Sequence, residues 1–135
     1  MKIAKLSRRD SVGYDFRMLH KLIDLAAWGI LAFILYATIS PIQDRPTLLT
    51  STSFEHFAAF AVLGALFSLA YPRQVALVCL VVLGAAVLLE VLQLVTPDRH
   101  GRIQDAMEKM AGGLVGIVAG RAILHVEQAR RWFQN

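Results

Sequence analysis

Long apolar stretches alternate with short polar ones along this chain, and that alternation sets the first expectation. Apolar residues dominate 22–39, 54–71, 75–95 and 105–124. Each stretch is close to the roughly 20 residues an α-helix needs to cross the hydrocarbon core of a bilayer. Ser40-Pro41 ends the first stretch, because proline cannot continue a helix and restricts the residue before it. Tyr71-Pro72-Arg73 makes a tight turn between the second and third, and Thr96-Pro97 opens a short polar loop before the fourth. Thr52 with Glu55, and Asp105 with Glu108, have the spacing of a helix cap and its reciprocal acid. The pattern predicts an all-α integral membrane bundle of four transmembrane helices with short loops.

Composition agrees with that pattern and narrows it. Hydrophobic residues make up 56% of the chain and charged residues only 18%, and the mean hydropathy is +0.53. That apolar share is high for a soluble domain. The charges crowd the two ends and the connections, which is where a polytopic membrane protein keeps them. One domain, residues 22–124, is flanked by a basic segment, 1–21, and a short tail, 125–135. A net charge of +4 raises the question of nucleic acid. The basic residues flank apolar spans instead of alternating with aromatics on one face, so no nucleic-acid partner is expected.

Lys2, Lys5, Arg8, Arg9, Arg17 and Lys21 precede the first span, and Arg121, Arg130 and Arg131 end the chain. An even number of spans puts both ends on one side, and this basic excess makes that side cytoplasmic. The first apolar run is longer than the core of a signal peptide, which favours an uncleaved helix. Asp24, near the start of that run, is expected to face the bundle or to snorkel to water beside Lys21. Cys79 is a lone cysteine in an apolar run, so no intrachain disulfide forms.

Chemistry collects on the opposite side. Glu90 and Gln93 lie three residues apart in the third span and share a helix face. An ionisable group in such a span costs about 2.5–3.5 kcal/mol on insertion scales, so it has a partner or a task. Arg99 and Arg102 follow in the loop, with guanidinium forks that match phosphate or carboxylate, and are placed to reach back towards Glu90. His56 opens the second span and Asp105 the fourth. Glu90, Gln93, Arg99, Arg102, His56 and Asp105 are the candidate ligand-binding residues, and Glu90, His56 and Asp105 the candidates for general acid or base. The competing reading is a structural lock in which Glu90 pairs with Arg99 or His56 to hold helices together. No metal or other cofactor is expected, because the spacing of His56, His100, Glu90 and Asp105 matches no known ligand motif. Gly112, Gly116 and Gly120 recur every four residues and line one face for close helix packing, within the chain or against a partner or second copy.

Taken together these residues resemble the VanZ-like family of small bacterial membrane proteins, named for a teicoplanin-resistance accessory protein. The features that carry the resemblance are His56 opening an inner helix, the Glu90/Gln93 pair, Pro97 and Arg99 in the following loop, Asp105 six residues on, and Gly112 with Gly116. It covers roughly residues 41–120. Two positions depart from it: Thr52-Ser53 stand where many relatives have Asp-Lys, and Lys109 where they have Asn. The resemblance implies a multi-pass protein of the inner membrane connected with the cell envelope and with lowered glycopeptide sensitivity. The expected partners are membrane lipids or a lipid-linked envelope precursor, met at an outward-facing polar pocket. The alternatives are a membrane enzyme acting on a lipid-linked substrate, or a structural helper of a membrane complex.

Overall fold

The computed structural model describes residues 2–39, 52–95 and 103–133, with side chains over 17–38, 53–94 and 103–133. Among them are four helices and no strand: α1 (Lys2–Ile39), α2 (Thr52–Ala70), α3 (Val75–Val95) and α4 (Ile103–Phe133). All four are long and apolar enough to cross a membrane. Leu25, Phe33, Leu80, Leu94 and Val118 lie on the outside of the bundle. In water such a surface would be an association hazard. Against lipid tails it is the expected exterior, with backbone polar groups satisfied inside each helix.

Two helices outrun their apolar spans. α1 begins at Lys2, so the basic leading segment continues the helix. α4 begins at Ile103 and ends at Phe133, taking in most of the tail expected beyond residue 124. Neither extension contains proline, and their Lys, Arg, Glu and Gln residues are good helix formers. Once an apolar span is helical, each added residue needs no new nucleation. At 1.5 Å per residue the 31 residues of α4 span about 46 Å, against a hydrocarbon core of about 30 Å.

The central contact joins α2 and α4, which run parallel although α3 separates them in the chain. Gly112 meets Phe57, Gly116 meets Ala61 and Gly120 meets Ala65, and a methyl group on any of these glycines would overlap α2. Gly64 reciprocates by resting against the carbonyl of Gly113. Lipid tails are as apolar as leucine, so helices gain little by hiding apolar surface from them; close backbone approach through small residues drives association instead. Ser68 Oγ adds a hydrogen bond to the Ile117 carbonyl at 3.3 Å. The glycine stripe is therefore covered by α2 of the same chain, and a second copy or outside partner would need another surface.

Around this pair, Phe60, Leu63 and Phe67 of α2 pack with Val78, Val82 and Leu89 of α3 and Leu31 of α1. α1 rests mainly on α2. A polar brace closes the bundle at the Tyr71–Gln74 turn. Tyr71 Oη donates to Asp24 Oδ1 at 2.6 Å and accepts from Trp28 Nε1 at 3.0 Å, while Arg121 donates to the Pro72 carbonyl. Asp24 thus faces the bundle, with a phenol as its partner.

Candidate functional site

The remaining polar residues gather at the other end of the bundle, where α3 finishes and α2 and α4 begin. Glu90 and Gln93 share one face of α3, and each is only 7% exposed. α4 returns antiparallel to α3, so Lys109 arrives at the same depth. Both Glu90 and Lys109 lie about 8–9 Å from their helix ends at 1.5 Å per residue. Lys109 Nζ donates to Glu90 Oε2 at 2.7 Å and lies 3.5 Å from Gln93 Oε1. Its side chain is 2% exposed and that of Glu90 10%. Glu90 Oε1 is buried without a hydrogen-bond partner among the described residues.

A pair this deep is poor evidence of a stabilising device, because desolvating both charges offsets most of their attraction. It does hold an ammonium, a carboxylate and an amide together inside an apolar bundle. In the sequence Lys109 stands out only as a departure from the family pattern, early in the fourth span, and not as a site residue. The usable signal was symmetry about the connection between α3 and α4: an acid and a base at matching depths on antiparallel helices meet.

A second group lies beside the first. His56 from α2 and Asp105 and Glu108 from α4 each offer one donor atom, and these atoms all lie within 4.8 Å of one another. The parallel α2–α4 contact brings them together, since Phe57 and Gly112 touch just beyond them. α4 starts two residues ahead of the expected point, so Asp105 falls inside its first turn and not at its cap. Glu108, expected as the reciprocal capping acid, instead converges with His56. Asp105 and Lys109 are one turn apart on α4, which makes the two groups neighbours. The observed partner of Glu90 is Lys109, where the sequence pointed to Arg99 or His56. Arg99, His100 and Arg102 lie outside the described residues.

A protein-family model described as VanZ/LLP1 matches residues 5–124. The chain belongs to the VanZ/LLP1 family. The match takes in His56, Glu90, Gln93, Asp105, Glu108 and Lys109. No curated protein and no solved structure matches the chain significantly. Family and helices agree on a multi-pass membrane protein of the VanZ/LLP1 type. In this VanZ/LLP1 chain a lysine buried on α4 faces the acid and amide of α3.

Proposed function

We propose that this protein binds the phosphate of an anionic lipid or lipid-linked envelope precursor in the pocket formed by Lys109, Glu90, Gln93, His56 and Asp105. The pocket opens to the outer leaflet of the bacterial inner membrane, and both chain termini are cytoplasmic. The observation that carries this reading is the buried ammonium of Lys109, held at 2.7 Å by Glu90 inside apolar helices. Ionisable groups at such depth are by default functional. A lysine ammonium recognises phosphate as a point charge, and Gln93 supplies an amide donor. Arg99 and Arg102, next in sequence, add forked donors from the connection to α4. Glu90 neutralises Lys109 while the pocket is unliganded and yields it to an arriving phosphate. A role in glycopeptide sensitivity follows from this reading by way of the family name.

The test is mass spectrometry of lipids that co-purify with the protein. Wild type should retain an anionic or lipid-linked species that Lys109→Met and Arg99→Ala lose, with Glu90→Gln altering the amount. An identical lipid profile in all four proteins would overturn the reading. A second reading, an enzyme acting on the same lipid, is favoured by one observation. His56 and Asp105 are close enough to act on a common atom. Turnover of the retained lipid by wild type, lost in Asp105→Asn, would select that reading.

A further inference from the structure

We infer that His56, Asp105 and Glu108 form a binding site for one divalent transition-metal cation of the zinc type. His56 and Asp105 also line the pocket of the reading above, but uptake of the metal is read directly and without any lipid, so the two readings fail separately. Two acids at the start of α4 have an ordinary explanation, since a helix N-terminus favours negative charge. That explanation covers neither the imidazole brought in from α2 nor the shielding of one carboxylate oxygen of the half-buried Glu108. Glu108 Oε2 is shielded from solvent and has no hydrogen-bond partner among the described residues. The neighbouring cation, Lys109, is engaged with Glu90 and Gln93 on the α3 side.

The donor set selects the class of ion. Calcium and magnesium prefer oxygen ligands throughout, whereas an imidazole with two carboxylates suits zinc or a similar first-row ion. Donors around zinc sit roughly 3.3–3.6 Å apart, given bonds of about 2.0–2.2 Å. A greatest spacing of 4.8 Å closes to that through small side-chain torsions, because the two helices are already held by the glycine contact. Two carboxylates and a divalent ion leave no net charge in a partly buried place. Three protein donors also leave at least one position open to an outside ligand.

The experiment uses the full chain, purified with Cys79→Ser to remove the thiol, stripped with chelator and equilibrated with zinc chloride alone. Elemental analysis after removal of free ion should give one zinc per chain, and titration calorimetry a single site. Asp105→Asn and Glu108→Gln should each weaken binding by at least the roughly 10–100-fold that loss of an outer-shell partner causes. His125→Ala, on the far part of α4, should leave it unchanged. X-ray absorption of the zinc-loaded protein reads the ligands without any site variant and should show nitrogen and oxygen from the protein. Stripped, helical protein that takes up no zinc would overturn the inference. So would equal retention by the Asp105→Asn/Glu108→Gln protein, or an absorption spectrum of water oxygens alone.

Discussion

Lys109 joins a long apolar stem to a terminal ammonium, and in this bundle both are buried. The stem packs without difficulty; the ammonium does so only because Glu90 meets it. Removing one partner leaves an uncompensated charge, which costs about 3–5 kcal/mol, whereas replacing both with neutral groups of similar volume is often near neutral. Lys109→Ala should therefore lower stability by about that amount, and Lys109→Met/Glu90→Gln should recover most of it. Thermal unfolding of the purified proteins, followed by helical circular dichroism, checks both. A double variant no more stable than Lys109→Ala would show that the pair is not the source of the loss. At the other end of the bundle, Tyr71→Phe removes the hydrogen bonds to Asp24 and Trp28. It should cost about 1 kcal/mol per bond lost and change the Trp28 fluorescence.

Among the elements, the α2–α4 pair depends on residues that have almost no side chain. Gly116→Ala would press a methyl into the backbone at Ala61, and overpacking of this kind costs about 1–3 kcal/mol. Gly84 has nothing within 4 Å of a would-be Cβ, so Gly84→Ala should be neutral or slightly stabilising in its helix. Comparing the two variants by thermal unfolding separates helix packing from helix propensity. Half of this contact was legible beforehand, because Gly112, Gly116 and Gly120 repeat at a helical period. Its other half was not, since Ala61, Gly64 and Ala65 look like ordinary members of an apolar run. Helix ends were legible where proline stops them, as after Ala70, and not where only polarity changes, as at the start of α1 and the end of α4.

For the whole molecule, four spans and basic ends lead to the orientation proposed above. A fluorescent protein that matures only in the cytoplasm, fused after Asn135, should be bright, while a periplasmic reporter inserted between α1 and α2 should be active. The opposite pair of results would invert the topology and place the polar pocket on the inner leaflet. The same fold brings Asp24, Trp28 and Tyr71 to one end and His56, Glu90, Gln93, Asp105, Glu108 and Lys109 to the other. Glu90 meets Lys109, 19 residues away, because α3 and α4 run in opposite directions, and His56 meets Asp105 and Glu108 from a more distant part of the chain because α2 and α4 lie parallel.

Hydropathy and proline placement are local properties, and they suffice for four membrane-length helices because lipid leaves the backbone no other way to satisfy its polar groups. The same local pattern marks Glu90 and Gln93 as misplaced in hydrocarbon and the α4 glycines as a packing stripe. It does not say which base meets which acid, or that α2 lies parallel against α4. Those depend on the rotation and depth of each helix against its neighbours, set jointly by all the contacts in the bundle. Packing, not sequence spacing, therefore chose Lys109 for Glu90 and gathered His56 with Asp105 and Glu108.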